Sequence, residues 1–436
     1  MSGTIRMAIR TLGVASLFIA GNALASGYHF GVQSVSSQGV ANSNAAEAED
    51  ASVLFYNPAG MTNLRGTNIS GALVVVDPHI SFSNLNATNS RGKPVTGNDG
   101  GTATKPVFVP QTYITHQVNE QLFMGLAMFV PFGDKTNFDD KWIGRYNGTD
   151  LELMTLALNP SVAYKVNEQF SVGAGVTAQY MKARFKKMID LGGQATVGGN
   201  STPALDGSMD YEGDNWAYGF NLGVTWKVDD SLRFGAAYRS SLSHSLQGDT
   251  KFYVPGAFPP GLANLKKLLN SNGTVDLETP DSFAINFYKK LNDQFAITGD
   301  WTHTWHSKFQ DLNLDTDAGF NADIEQKWRD TDRFSLGLSY QYNDPLKLRF
   351  GLAYDQSPAD EAKYRIANLP DSDRYWFSTG FNYAIDKNMS VDVAYTYVKF
   401  KDSSMSNIDI NSNAVTTNAD ISAYANVFGA QLNYRF

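Results

Sequence analysis

Apolar and polar residues alternate with a period of two along most of the chain. Phe334, Leu336, Leu338, Tyr340 and Tyr342 alternate with Ser335, Gly337, Ser339 and Gln341. Leu346, Leu348, Phe350, Leu352 and Tyr354 do the same against Lys347, Arg349, Gly351, Ala353 and Asp355. Tyr218, Phe220, Leu222, Val224 and Trp226, and later Val391, Val393, Tyr395 and Tyr397, repeat the pattern. Successive side chains of a strand point to opposite faces, so each run predicts a strand with one greasy face and one small or polar face. Fourteen strands are predicted, over 67–76, 109–118, 121–131, 152–165, 170–186, 215–227, 231–246, 280–289, 294–305, 333–342, 346–355, 375–385, 389–400 and 423–436. Six connections are tight and polar: Asn119-Glu120, Val166–Gln169, Val228–Asp230, Lys290–Asp293, Asn343–Pro345 and Asp386–Asn388. The others are long, and the two kinds alternate strictly. An antiparallel membrane barrel, with tight turns on the periplasmic side and long loops outside, produces this order.

A soluble β-sandwich also alternates, but its solvent face is charged. Here the second face is mostly Gly, Ser, Ala, Thr and Asn with scattered charges, which suits a lumen. Aromatic residues at strand ends (Tyr238, Trp301, Trp305, Tyr354, Tyr375 and Trp376) suit interfacial girdles. Composition agrees: 38 Gly, 27 Phe and 21 Tyr, charged residues 18%. A mean hydropathy of -0.28 argues against a helical membrane protein, and no run past the leader reaches the ~18 apolar residues of a membrane helix. The absence of cysteine excludes disulfides, Cys-based zinc sites and thiol nucleophiles. A net charge of -8 argues against nucleic acid as a partner.

The N-terminus reads as a secretory leader: Arg6 and Arg10, an apolar stretch from Leu12 to Ala20, then Ala23-Leu24-Ala25. The fold class expected is all-β, a 14-stranded antiparallel transmembrane β-barrel plugged by a small N-terminal hatch. Residues 1–25 are the signal peptide, 26–66 the plug, and 67–436 the barrel with long extracellular loops. The location is the outer membrane, with its lipids around the wall. The final strand ends on Phe436, the kind of terminus that outer-membrane assembly machinery reads.

Residues 26–66 lack sustained alternation. A fourteen-stranded barrel is too wide for side chains to fill, so it is either an open channel or plugged. The segment sits in the periplasm or folds into the lumen as a plug; its few charges and many small residues suit burial. Its stretch from Ala41 to Ala51 suggests a short helix.

Gln33-Ser34, Gly39-Val40-Ala41, Ala45-Ala46, Asp50-Ala51-Ser52 and Phe55-Tyr56-Asn57-Pro58-Ala59-Gly60-Met61 resemble the N-terminal hatch of the FadL family of outer-membrane transporters. Val130-Pro131-Phe132-Gly133 with Trp142-Ile143-Gly144-Arg145-Tyr146, and Leu158 through Asn167, extend the likeness. The resemblance implies transport of hydrophobic molecules, foremost long-chain fatty acids. Ligand would be captured by surface loops, bound in an apolar lumen pocket, released by a hatch shift and passed sideways through a gap beside a kinked strand. It makes Phe55, Asn57, Pro58 and Ala59 the hatch and gating residues. Aromatic hydrocarbons are the alternative cargo; a general porin and an outer-membrane hydrolase are the more distant readings.

The third strand is the exception to the alternation. It is apolar on both faces, and such a strand must be covered on both. Met124, Leu126, Met128, Val130 and Phe132, with Leu156 and Leu158 of the fourth, are therefore the expected lining of a ligand pocket or the face packed on the plug. Gly125 or Pro131 is the expected kink. A fatty acid also needs a partner for its carboxylate, and arginine offers permanent, fork-like donors. Arg239, on the lumen parity of the seventh strand with Arg233, is the chosen candidate; Arg184, Lys347 and Arg349 are the others. In loop 247–278, Phe252, Phe258, Leu262, Leu265 and Leu269 suggest an amphipathic capture surface.

No catalytic set, cofactor motif or metal site is expected. His303 and His306 fall on opposite strand faces, and Asp311, Asn313, Asp315 and Asp317 lack the register of a calcium loop. The chain is expected to act as a monomer and not as an enzyme.

Overall fold

The computed structural model describes residues 27–436, other than 28, 102, 196–198, 256–269, 320 and 410–413. The proposed leader and Phe258, Leu262, Leu265 and Leu269 lie outside the described residues.

Fourteen antiparallel strands close into one barrel. In chain order they are β1 (Thr67–Thr88), β2 (Val107–Gln117), β3 (Leu122–Phe129), β4 (Asp150–Lys165), β5 (Phe170–Ile189), β6 (Gly207–Lys227) and β7 (Leu232–Arg239). Then follow β8 (Ser282–Lys290), β9 (Phe295–Thr304), β10 (Thr331–Asn343), β11 (Leu346–Asp355), β12 (Arg374–Ala384), β13 (Met389–Phe400) and β14 (Val415–Arg435). Each strand pairs with its sequence neighbours, and β14 pairs with β1 from Asn68↔Arg435 to Thr88↔Thr416, so no edge is left open. All six tight turns are organised by an Asn or Asp carbonyl or carboxylate accepting from backbone N–H groups. Asn119, Asn167, Asp229, Asn292 and Asp386 each accept from the residues two and three ahead, and Asn343 accepts from Leu346. This is the local bond that makes such residues turn formers.

Leu73, Phe108, Ile114, Val176, Phe220, Leu336, Leu352, Phe377 and Phe428 stand exposed on the outer wall. They form the surface that lipid covers, since a membrane strand needs only about 9–11 residues. β1, β5, β6 and β14 run 20 to 22 residues and rise beyond that band. Above the band ion pairs appear: Lys135–Glu152 at 3.4 Å, Lys182–Glu212 at 2.5 Å and Arg184–Asp210 at 2.6 Å. Of the expected girdle, Tyr238, Trp305, His303 and Trp301 touch in series across neighbouring strands, and Tyr354 meets Tyr375. Trp376 does not join them. It is buried inward, against hatch Gly31.

The hatch occupies the lumen. It contains two single helical turns, α1 (Val35–Gln38) and α2 (Val53–Tyr56), and a 3-10 turn at Pro58–Asn63. The expected helix over 41–51 is absent. Ala41, Asn42 and Ala48 have φ of 52°, 63° and 50°, left-handed values that break a helix. Small residues are needed here for fit rather than for helix formation. The lumen face of the wall is small for the same reason. A Cβ on Gly351 would strike the backbone of Val40, one on Gly173 that of Ala59, and one on Gly125 the side chains of Leu54 and Met61.

Two strands depart from the expected spans. β3 ends at Phe129, and its pairing with β2 stops at Thr112↔Met128. Val130, Pro131 and Phe132 turn out of the wall, and pairing to β4 resumes at Gly133–Asn137. Three residues there oppose two of β4, Thr155 and Leu156. Pro131 lacks the N–H a ladder needs, whereas Gly125 stays in register with Thr115 and Ser161. β7 likewise stops at Arg239, and the rest of the span forms a separate strand, Leu242–Tyr253, paired to Ser271–Thr279 and to the outer half of β6.

Candidate functional site

The kink in β3 leaves the outer half of β2, from Val107 to Gln111, paired to β1 alone. The first arm of the hatch fills the interruption. The Phe30 N–H donates to the Pro131 carbonyl at 2.8 Å, and Gln33 Nε2 donates to the Val130 carbonyl at 2.8 Å. Gln111 Nε2 donates to the Val32 carbonyl at 2.8 Å. Phe30 and Val32 join Val107, Val109 and Val130 in one apolar cluster. The wall is thus sealed at this point by the hatch rather than by a neighbouring strand.

Behind the kink lies a pocket between hatch and wall, lined by His29, Asn42, Phe55, Tyr56, Phe132, Arg239, Asn286, Asp300 and Arg333 among others. Arg239 Nη2 donates to the Phe55 carbonyl at 2.7 Å, and its guanidinium lies over the rings of Phe55 and Phe129 at 4.6 and 5.3 Å. Among the described residues no carboxylate pairs with it. Arg333 meets Asp300 at 3.5 Å and the Asn42 carbonyl at 3.3 Å, and its Nε has no partner among the described residues. The pocket sets two arginines, Arg239 and Arg333, against two aspartates, Asp300 and Asp355. Burial first, then Arg333, Arg239 and Arg374, push His29 down to about 3, so this hatch imidazole is neutral.

The hatch motif clamps this arrangement to the wall. Asn57 Nδ2 donates to the Val224 carbonyl at 3.0 Å and to the Ala236 carbonyl at 3.3 Å, while its Oδ1 accepts from the Ala59 N–H at 3.0 Å. Pro58 opens the 3-10 turn, where its missing N–H costs nothing. Phe55 packs edge-on against Phe129 at 5.0 Å.

On the periplasmic side a charge network holds the other flank. Lys347 pairs with Glu49 and, at 3.5 Å, with Glu47. Arg349 pairs with Asp392 and, at 3.2 Å, with Glu49, and Arg233 Nη1 donates to the Glu47 carbonyl at 2.9 Å. Burial and then the neighbouring Glu49 push Glu47 up to about 7. Burial also disfavours the charge on Glu49, but Lys347 and Arg349 hold its carboxyl well below the usual range.

A second, apolar groove opens in the extracellular crown. Leu153, Ala183, Met209, Tyr211, Leu246, Val275, Leu277, Phe309, Leu314 and Ile366 line it, with Asp134, Arg184 and Gln326 as its polar members. Phe132 bridges the two spaces, since it lines the lumen pocket and packs in the apolar cluster around the groove.

The expected face of β3 is reversed. Met124 and Leu126 are 53% and 48% exposed on the outer wall, and Met128 shares their parity. Leu156 and Leu158 also point outward. Phe123, Gly125, Ala127 and Phe129 face inward and meet Leu54, Met61 and Phe55 of the hatch. Helical turns of the hatch need small or flat neighbours, whereas lipid accepts any apolar shape. Val130 and Phe132 do reach the interior, because the kink releases them from strand parity. Phe252 is buried in the crown cluster and not presented as an exposed capture surface. The pocket residues His29, Asn42, Asp300 and Arg333 were not singled out by sequence. Charged residues on a lumen face are a signal, but which of them converge depends on the hatch path.

The family described as "Outer membrane protein transport protein (OMPP1/FadL/TodX)" matches residues 16–436. An outer membrane protein of Neisseria meningitidis serogroup B is 36% identical over 462 residues, covering 99% of each chain. The long-chain fatty acid transport protein of Salmonella typhi is 28% identical over 440 residues, covering 98% of each. The crystal structure of a Pseudomonas aeruginosa FadL homologue superposes with a TM-score of 0.87 at 26% identity, covering 94% of this chain and all of that one.

Proposed function

Because the chain belongs to the outer-membrane transport family that includes FadL and TodX, a family of transporters of hydrophobic compounds rather than enzymes, we propose that its cargo is a long-chain fatty acid. The observation that carries this choice is Arg239: a half-buried guanidinium facing the lumen pocket with no carboxylate partner among the described residues. A partly desolvated charge without a counter-ion is costly, and a ligand carboxylate relieves that cost. An aromatic hydrocarbon does not. The route follows the two pockets. The crown groove takes up the acyl chain, Phe132 marks the passage to the lumen pocket, and Arg239 meets the head group. Exit is sideways at the β3 kink, once the Phe30–Gln33 arm leaves the wall. In this reading Asn57, Pro58 and Ala59 set the docked position of the hatch. Phe436, exposed at the end of the barrel beside Tyr434, serves as the assembly signal.

The test is binding of oleate and toluene to the purified protein and to Arg239→Ala. Oleate affinity is expected to fall about tenfold to a hundredfold, the scale of a lost charge-assisted hydrogen bond, with toluene little changed. Unaltered oleate affinity in Arg239→Ala would remove Arg239 from the site. Toluene outcompeting oleate in uptake would favour the hydrocarbon cargo.

A further inference from the structure

One group in the crown groove, Asp134, takes no part in the passage from groove to lumen pocket. Asp134 follows the β3 kink, in the short strand Gly133–Asn137 above the membrane band. It is 2% exposed, it lines the groove, and neither of its carboxyl oxygens has a hydrogen-bond partner among the described residues. Its pairing partner in the ladder is Leu153, and the groove around it is formed by Met209, Leu246 and Leu277. An isolated carboxylate in such surroundings is strongly disfavoured, so the acid is held neutral and keeps its proton as a donor. Burial pushes the Asp134 carboxyl well above its ordinary range, the Lys135 backbone N–H offsets part of this, and Asp371 reinforces it.

The other polar groups facing the groove are committed, with one exception. Arg184 is taken by Asp210, with Nε at 3.0 Å and Nη2 at 2.6 Å. The Tyr211 hydroxyl donates to the Leu246 carbonyl at 2.8 Å. Lys135 pairs with Glu152, and Asp371 accepts from the Gly27 N–H and the Ser357 hydroxyl, both at 2.9 Å. The exception is Gln326, also 2% exposed, whose side-chain Nε2 has no partner among the described residues.

We propose that Asp134 and Gln326 form a head-group subsite in the crown groove that receives the carboxyl group of a long-chain fatty acid. The Asp134 O–H donates to one carboxyl oxygen of the ligand, the Gln326 amide donates to the ligand carboxyl as well, and the acyl chain lies along the leucines. Between a neutral acid and a carboxylate the hydrogen bond is of the short, charge-assisted kind. An alcohol of the same length offers a weaker acceptor, and an alkane offers none. The subsite rests on the reading of the groove as the capture site, and it makes that first station selective for acids as well as apolar.

The test uses laurate and 1-dodecanol with the full chain in detergent, titrated calorimetrically at one fixed pH in an Arg239→Ala background, which removes the lumen partner for a carboxylate. Three variants are made on that background: Asp134→Asn, Asp134→Leu and Leu246→Trp. Before they are added, laurate is expected to bind about tenfold tighter than dodecanol. Asp134→Asn, which keeps a donor, retains the preference. Asp134→Leu binds the two ligands alike. A laurate-to-dodecanol ratio unchanged in Asp134→Leu, while Leu246→Trp weakens both ligands, overturns the subsite and leaves the groove standing. Binding of both ligands unaffected by Leu246→Trp overturns the groove and the subsite together.

Discussion

Glu47 shows how one buried carboxyl in the hatch couples docking to pH. Its proton is held more tightly in the docked state, up to about 7, than in an exposed chain near 4.5. A raised value means that its stabilising contribution is complete below about 4.5 and is lost as pH climbs through about 7. Glu49 runs the other way, because Lys347 and Arg349 favour its charge against burial; its contribution is present above its ordinary value and lost in acid. Glu47→Gln separates the two. We expect protection factors over residues 35–60, that is exchange corrected for its intrinsic pH dependence, to fall in the parent between pH 5 and pH 8 and to stay flat in Glu47→Gln. An equal fall in both would assign the pH response elsewhere. At this scale the sequence was legible where a residue acts on its own neighbours. Asn119, Asn167 and Asp386 each mark a turn through bonds spanning two or three residues. It was illegible where partners come from distant segments. Nothing local ties Lys347 to Glu49, or leaves Asp134 without a partner.

Elements tell the same story through parity. A strand with one polar face declares which side meets the lumen, and most of the fourteen did so. β3 has no polar face, so Met124 and Phe123 were equally eligible for the interior. The choice was settled by the shape of α2 and the 3-10 turn against Gly125 and Ala127. The ends of β3 and β7 were missed for a related reason. The apolar pattern continues through Val130–Phe132 and Leu242–Leu246, while the ladder is broken by Pro131 in the first case and by the Ser240-Ser241 step in the second. The β3 break gives the exit hypothesis a direct test. The protein has no cysteine, so cysteines placed at Val32 and Gln111, already joined through a backbone–side-chain hydrogen bond, would be its only thiols. Oxidation is expected to pin the hatch arm over the wall gap and abolish uptake of oleate in cells, with recovery on reduction. Full uptake by the oxidised form would mean that ligand leaves by another path.

At the scale of the whole molecule the question is why so wide a barrel does not leak. A barrel of fourteen strands cannot be filled by its own side chains, and this lumen face is glycine-rich, which widens it further. The space is taken by about forty hatch residues, most of them fully buried from Phe30 to Leu64. Closure therefore depends on backbone meeting backbone across the lumen, as Val40 meets Gly351 and Ala59 meets Gly173. Such contacts tolerate no added methyl, because the facing atoms belong to the main chain and not to a side chain that can swing away. We expect the parent protein in planar bilayers to show no large steady conductance. In Gly351→Val the hatch must back away from β11, at a cost of roughly 1–3 kcal/mol for overpacking, while the barrel, whose ladder is unaffected on its lipid side, stays folded. Its conductance should rise in long openings, with heat-resistant migration on gels reporting the intact barrel. A parent protein that conducts as a large open pore would show that the hatch does not seal the lumen. A silent Gly351→Val with an intact barrel would show that the seal lies away from the Val40 contact, nearer the clamp made by Asn57.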